Sequence, residues 1–141
     1  MFYHQRFSVG SVDVRLVGGE LPNVGRVEVY FNNQWGTVCR NGWSNQDAKV
    51  ICRQLGYPEG NHQSLVNGIE YGYYGEGTGE IWLDDVDCTG TENSITECSH
   101  NGWANHGCDH HEDAGVVCLT GKLFMIIHLA LIINKNILCH Q

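Results

Sequence analysis

The spacing of the cysteines limits what this chain can fold into more than any other feature of the sequence. Six of the seven cysteines lie from Cys39 to Cys118, at positions 39, 52, 88, 98, 108 and 118, and the seventh is Cys139. Structural zinc sites usually contain paired ligands such as C-x2-C, and the sequence has no such pair. An even number of widely spaced cysteines in a domain of about 100 residues instead favours three disulfides and an oxidising compartment. The 141 residues suffice for one such domain with its own core.

The charge of the chain argues against nucleic acid as a partner. The formal net charge is −8, and residues 14–118 carry 15 acidic against 5 basic side chains. Domains that bind nucleic acids normally carry the opposite sign, because contacts with phosphates supply most of their affinity. An acidic surface is better suited to calcium, or to partners that bring their own positive charge.

A hairpin is predicted in the first third of the chain. In Gly25–Phe31, the apolar residues Val27, Val29 and Phe31 alternate with more polar ones, which is the period of a half-buried strand. The segment NNQ then turns the chain into a second strand, Trp35–Cys39, and the two strands are expected to pair.

Residues 44–56, SNQDAKVICRQLG, are typical of an amphipathic helix. Ser44 and Asp47 provide cap-like side chains at its start, and Gly56 is placed to end it in the left-handed conformation. Apolar side chains at i, i+3, i+4 and i+7 form one stripe: Ala48, Ile51, Cys52 and Leu55. The sulfur of Cys52 is therefore expected to point toward the core, as a structural disulfide requires.

Three shorter elements follow the helix. Ile81–Leu83 and Gly115–Leu119 are typical of strands, and Glu92–Cys98 of a short helical turn. The glycine-rich segment GEGTGE, residues 75–80, is not expected to bind phosphate, because phosphate-binding loops follow a strand and open a helix. This segment leads into a strand.

The segment GCDHHEDAGVVC, residues 107–118, concentrates thiols, imidazoles and carboxylates without matching a catalytic motif. It lacks the H-E-x-x-H spacing, and the chain contains no G-x-S-x-G elbow. His110 and His111 are adjacent and so point in different directions, and each is expected to be structural or exposed. We therefore predict that the protein is not an enzyme.

The two ends of the chain are expected to lie outside the domain. Residues 1–13 are interpreted as an irregular leader that lacks the apolar segment of a secretory signal, so we expect the chain to be a fragment of a longer extracellular protein. The apolar run Leu123–Ile133 has 11 residues, whereas a bilayer span needs about 20, and no transmembrane helix is predicted. We interpret residues 120–141 as an apolar, non-native tail translated from non-coding sequence. Its detection in a spliced transcript would refute that interpretation.

Six motifs in the chain resemble those of scavenger receptor cysteine-rich (SRCR) domains, and they occur in the same order. They are VRLVGG (14–19), GRVEV (25–29), WGTVC (35–39), DAKVICRQLG (47–56), EIWLDDVDCTGTE (80–92) and HHEDAGVVC (110–118). The resemblance covers about Val14 to Cys118, and residues 14–119 are assigned to the domain. The six-cysteine pattern is similar to that of the group A subtype.

The resemblance implies an α+β fold in which a curved antiparallel sheet cradles one main helix, with long loops and disulfide staples. The disulfide pairing that it implies is Cys39–Cys108, Cys52–Cys118 and Cys88–Cys98. Cys139 is then left unpaired, which is a further argument that the tail is not native.

Members of this family bind Ca²⁺ or Mg²⁺ through paired carboxylates, and the resemblance implies two positions for a cation. The first combines two acidic residues that follow WGTVC with Glu112. In this chain the two positions are Arg40 and Asn41, and an arginine repels a cation, so this site is expected to be lost. An ion pair between Glu112 and Arg40 is the alternative to metal ligation.

The second implied position uses Asp84 and Asp85. Its partner position is Gly107, which has no side chain, so water or a backbone carbonyl would have to complete the ligand set. The alternative for the two aspartates is structural: one caps a turn and the other accepts a hydrogen bond from nearby backbone.

A basic cluster offers another way to bind an anionic ligand. It comprises Arg40, Lys49 and Arg53, and the last two lie one helical turn apart on the same face. Direct contact with polyanions is the other binding mode that the resemblance implies. The alternative is an ordinary solvated helix face.

Together these features predict a non-enzymatic, extracellular recognition module, either secreted or part of a membrane receptor's ectodomain. Its expected ligands are polyanions, microbial surfaces or another extracellular protein, with a cation as a candidate cofactor. Two alternatives are an accessory module of a larger extracellular serine protease and a structural spacer in a tandem array of SRCR domains.

Overall fold

Six strands form one sheet at the centre of the molecule. The structure is a computed structural model, and it describes residues 10–57, 63–64, 74–120 and 129–135. The strands are β1 (Asp13–Gly18), β2 (Val24–Phe31), β3 (Gln34–Val38), β4 (Gln63–Ser64), β5 (Ile81–Leu83) and β6 (Gly115–Val117). The helix α1 spans Asn45–Gln54, and 3₁₀ turns span Ile95–Glu97 and His110–Glu112. Residues 129–135 are also helical.

The long strand β2 organises the sheet. Strand β1 pairs antiparallel along one edge of β2, from Asp13 opposite Tyr30 to Gly18 opposite Gly25. The other edge is shared, because β6 pairs with the first part of β2 and β3 with the second. The antiparallel sheet and single main helix of the predicted α+β fold are thus confirmed. One pair, β3 with β5, is parallel, since the chain between them crosses over through α1.

The predicted hairpin is confirmed and its turn is two residues long. Asn32 and Asn33 connect β2 to β3 with φ angles of 50° and 61°. Positive φ at both central residues matches the twist of the flanking strands, and asparagine tolerates this conformation better than most residues. Gln34 already belongs to β3.

The predicted helix is also confirmed, together with the predicted cap at its start and the predicted glycine at its end. The Ser44 side chain accepts a hydrogen bond from Gln46 N–H, and Ser44 N–H donates to Asp47 Oδ2 at 2.7 Å, which forms a capping box. Gly56 follows the last turn with φ of 86°. Three residues of the predicted stripe, Ala48, Ile51 and Cys52, are fully buried. The fourth, Leu55, is the C-cap residue and is partly buried against the core.

Most of strand β2 is covered on both faces, which its alternating pattern did not predict; only near its end is a residue, Tyr30, exposed. Val27 and Val29 lie in the core as expected. On the opposite face Arg26 and Glu28 are only 9% and 7% exposed, because Arg26 binds the backbone carbonyls of Tyr74 and Gly75 in the loop before β5.

Three disulfides hold the loops and the helix to this sheet. They join Cys39 to Cys108, Cys52 to Cys118 and Cys88 to Cys98, the pairing that the family resemblance implies. Cys52–Cys118 attaches α1 to the residue after β6, and Cys88–Cys98 closes one loop. Cys139 lies outside the described residues. None of the described helices has the length and apolar character needed to cross a membrane.

Candidate functional site

Two of the predicted acidic residues lie beside the Cys39–Cys108 disulfide. A carboxylate oxygen of Asp84 lies within 4.8 Å of both sulfurs, and Glu112 Oε2 lies 3.9 Å from Cys39 Sγ. The position of Asp84 follows from β5, which ends one residue earlier at Leu83, while Glu112 ends a 3₁₀ turn. The fold therefore brings together two carboxylates that are distant in sequence.

Asp85 continues this acidic surface toward solvent. Its N–H donates to Asp84 Oδ1 at 2.8 Å, and its own side chain is exposed with a backbone φ of 54°. Asp85 faces the turn that follows Cys39, because a Cβ placed on Gly42 would lie 3.1 Å from Asp85 Oδ1. Asp84 is 5% exposed and accepts a backbone hydrogen bond. The alternative of a structural role therefore describes Asp84 better than it describes Asp85.

These carboxylates fit a divalent cation only in part. Among the described residues, the groups of three potential ligands within 4.8 Å of one another each include both cysteines of a disulfide. Bonded sulfurs cannot act as thiolate ligands. A cation at Asp84 and Asp85 would take one or two carboxylates and complete its shell with carbonyls or water, an arrangement that suits hard cations.

Arg40 and Glu112 are neighbours, as the predicted ion pair requires. The Arg40 N–H donates to Glu112 O at 2.7 Å. This backbone bond places an arginine beside the acidic surface, and the ion pair between the two side chains stays a prediction.

The three residues of the predicted basic cluster make different contacts and do not act as one group. The guanidinium of Arg53 donates to the carbonyls of Glu92 and Gly90 at 2.8 and 2.9 Å, so it fastens the loop that Cys88–Cys98 closes. The same loop is ordered by the Glu92 carboxylate, which accepts hydrogen bonds from Thr89 and Gly90. Although desolvation opposes the shift, these bonds lower the pKa of Glu92 to about 2. Arg53 therefore acts in the structure of the domain, and Lys49 lies partly exposed on α1.

A polar network on the outer face of the sheet was not recognised in the sequence. The Glu28 carboxylate accepts two hydrogen bonds from Arg15 on β1 and two from Arg26, at 2.6 to 3.0 Å. The guanidinium of Arg15 also lies 4.1 Å from the ring centroid of Trp35, which in turn packs against Tyr30. The alternation of β2 could have indicated that these charges share a face, but not that a distant loop covers them.

His110 links the loop before β5 to the 3₁₀ turn His110–Glu112. Its Nδ1 lies 3.0 Å from Asp113 Oδ2 and its Nε2 lies 2.9 Å from Gly79 O. Burial alone would lower the pKa of His110, but the hydrogen bond to Gly79 and the negative charge of Asp113 outweigh it and raise the pKa above its ordinary value of 6.5. Since both neighbours are acceptors, the doubly protonated ring satisfies the site best. The predicted structural role thus describes His110, whereas His111 is exposed and pairs with Glu76.

The fold and its surface define a class: a small α+β domain stapled by three disulfides, with its acidic groups displayed on loops. The model of one family, "Scavenger receptor cysteine-rich domain", matches residues 17–119. The chain belongs to the scavenger receptor cysteine-rich family.

Relatives with assigned names agree with this membership. The chain is 54% identical over 105 residues to the macrophage receptor MARCO of Mus musculus, covering 74% of this chain and 18% of that receptor. It is 52% identical over 111 residues to a scavenger receptor cysteine-rich domain superfamily protein of Patiria pectinifera, covering 79% of this chain and 9% of that protein. The chain thus spans less than a fifth of the length of these two relatives.

Solved structures also resemble the domain. The third SRCR domain of murine neurotrypsin matches with a TM-score of 0.67 and 47% identity, over 76% of this chain and 95% of that domain. The dimeric form of the SRCR domain of mouse MARCO matches with a TM-score of 0.59 and 54% identity, over 75% of this chain and 94% of that chain.

Proposed function

We propose that this domain is a non-enzymatic, extracellular recognition module that binds anionic ligands with the help of a divalent cation. The observation that carries the proposal is the position of Asp84 and Glu112 beside the Cys39–Cys108 disulfide, with the exposed Asp85 next to Asp84 and facing the turn that follows Cys39. A disulfide keeps such a surface in shape without a bound ligand, and preorganisation reduces the cost of binding. Ca²⁺ or Mg²⁺ held by the exposed carboxylate of Asp85 would present its remaining coordination positions to the ligand.

The similarity to a macrophage receptor supports the ligand class in this proposal. A receptor domain of this kind would act outside the cell, where disulfides persist, and would meet polyanions, microbial surfaces or another protein. The neurotrypsin match favours a second candidate: that domain is the third of its protein, so this chain can equally be one unit of a multidomain protein, as an accessory module or a spacer.

The test is binding of the oxidised protein to immobilised dextran sulfate, first in calcium and then in chelator. We expect binding in calcium and its loss in chelator. The variant Asp85→Asn should weaken calcium-dependent binding by at least about tenfold, as losses at metal sites commonly do. Asp87→Asn is the matched control, because it removes one exposed carboxylate from the same loop, and it should bind like the unmodified protein.

The other outcomes separate the alternatives. Binding that persists in chelator but disappears in salt would mean that the ligand contacts the basic residues Arg40 and Lys49 directly, without a cation. No binding in either buffer would overturn the proposal and favour the accessory or spacer role.

A further inference from the structure

The tripeptide Asn-Gly-Trp occurs twice in the described residues, at Asn41–Trp43 and at Asn101–Trp103. Asparagine followed by glycine is prone to deamidation, because glycine leaves its own nitrogen unhindered. The glycine nitrogen attacks the asparagine Cγ, a new N–Cγ bond forms, and the Cγ–Nδ2 bond breaks. Nδ2 departs as ammonia with the proton from the glycine N–H. Solvent water then opens the cyclic imide to aspartate or isoaspartate, so that an amide becomes a carboxylate.

At the first copy the attacking nitrogen is available. Asn41 and Gly42 are both exposed and occupy the centre of a turn that Trp43 N–H closes by donating to Arg40 O at 2.9 Å. Gly42 has φ of 74°, and within the described parts of the chain its N–H donates to no acceptor. The Trp43–Arg40 hydrogen bond that closes this turn does not involve the reacting atom.

At the second copy the same atoms are restrained. The Gly102 N–H donates to His100 Nδ1 at 3.0 Å. Asn101 is also held on both sides, because its N–H donates to Asp84 O and its carbonyl accepts from Asn105 Nδ2 at 2.9 Å. The attack at Asn101 therefore requires the Gly102–His100 bond to break first, while the other two bonds restrain the backbone of Asn101.

We propose that Asn41 is a site of spontaneous deamidation in the folded protein, and that Asn101 is protected. The product carries a new negative charge in the turn that faces Asp85 and adjoins Arg40. Ageing of the protein therefore adds a carboxylate to the acidic surface. This modification goes beyond the proposed function and does not depend on it, because it needs only the chain and water.

The experiment is incubation of the oxidised full chain at mildly alkaline pH, followed by reduction, digestion and tandem mass spectrometry of the two segments. Asn41 is expected to convert at least about fivefold faster than Asn101, since one hydrogen bond that must break before reaction corresponds to a factor of this order. The same incubation of the reduced protein in urea is the control. There the two identical tripeptides should convert at similar rates.

The variant Asn41→Gln completes the design. Glutamine would have to form a larger ring, so conversion at this position should stop while Asn101 is unaffected. A native-state rate at Asn101 that equals or exceeds the rate at Asn41 would overturn the proposal, and so would an unchanged difference in urea. The sequence contains another Asn-Gly pair, Asn67–Gly68, which lies outside the described residues. Its deamidation is measured on a separate peptide.

Discussion

At the scale of single residues, His110 shows how the fold assigns a role to a residue type that the sequence leaves open. Nothing in HHEDAG distinguishes His110 from His111. The structure places Asp113 and Gly79 O on opposite sides of the His110 ring. The side chain of Asp113 is 1% exposed and also accepts a hydrogen bond from Gly77 N–H at 2.7 Å. The His110 imidazole thereby joins the 3₁₀ turn to the loop before β5.

This arrangement predicts that the domain becomes less stable as the pH rises above neutral. The pKa of His110 is raised in the folded state above its ordinary 6.5, so its contribution is fully present below the unfolded pKa of about 6.5. That contribution is lost as the pH rises through the higher folded value. A single group can change the free energy of unfolding by at most about 1.4 kcal/mol per pH unit.

Urea unfolding at a series of pH values above 6 measures the slope of the free energy of unfolding against pH. His110→Gln should be less stable and should flatten the slope, whereas the matched control His111→Gln, at an exposed position, should leave it intact. A slope that survives in His110→Gln would mean that another group is responsible.

At the scale of elements, helix α1 depends on the capping box at its first turn. Ser44 Oγ accepts from Gln46 N–H, and Asp47 accepts both from Ser44 and from Cys88 N–H, at 2.8 Å, so the box also holds the next disulfide loop. Asp47 is 1% exposed, and burial raises the pKa of its carboxyl, although its hydrogen bonds oppose the shift. The start of the helix is thus built into the core.

Replacement of Ser44 by alanine tests this element. It should lower the free energy of unfolding by about 1 kcal/mol, because an N–H of the first turn loses its acceptor. Gln46→Ala is a suitable control, since this exposed helical residue keeps the cap and alanine favours the helix. Equal stability of Ser44→Ala and the unmodified protein in urea would show that Asp47 alone maintains the cap.

Elements with local signals could be predicted from the sequence. Long-range contacts could not, apart from the disulfide pairing that the family resemblance implied. The turn at Asn32 and Asn33 and the cap at Ser44 are set by residues within a few positions of one another. The burial of Arg26 and Glu28 instead depends on carbonyls of residues 74 and 75, and no local pattern encodes that contact. Similarly, the three carboxylates of the candidate site could be named in advance, but the position of Asp84 and Glu112 beside the Cys39–Cys108 disulfide follows only from the assembled fold.

At the scale of the whole molecule, the disulfides should contribute unequally to stability. Cys52–Cys118 joins residues 66 positions apart and ties α1 to the end of the sheet, whereas Cys88–Cys98 closes a separation of 10 within one loop. The loss of chain entropy in the unfolded state gives about 4 and about 3 kcal/mol for these closures. Moreover, the shorter loop is already held by Arg53 and by Asp47, so its order depends less on the covalent bond.

The double variants Cys52→Ala/Cys118→Ala and Cys88→Ala/Cys98→Ala test this ranking, and each is the control of the other because all four cysteines are buried. Denaturant unfolding should show a folded, moderately destabilised protein without Cys88–Cys98. Without Cys52–Cys118, the loss should be larger, or the chain should fail to fold at all. The opposite order would mean that the loop, and not the link between helix and sheet, limits the stability of the domain.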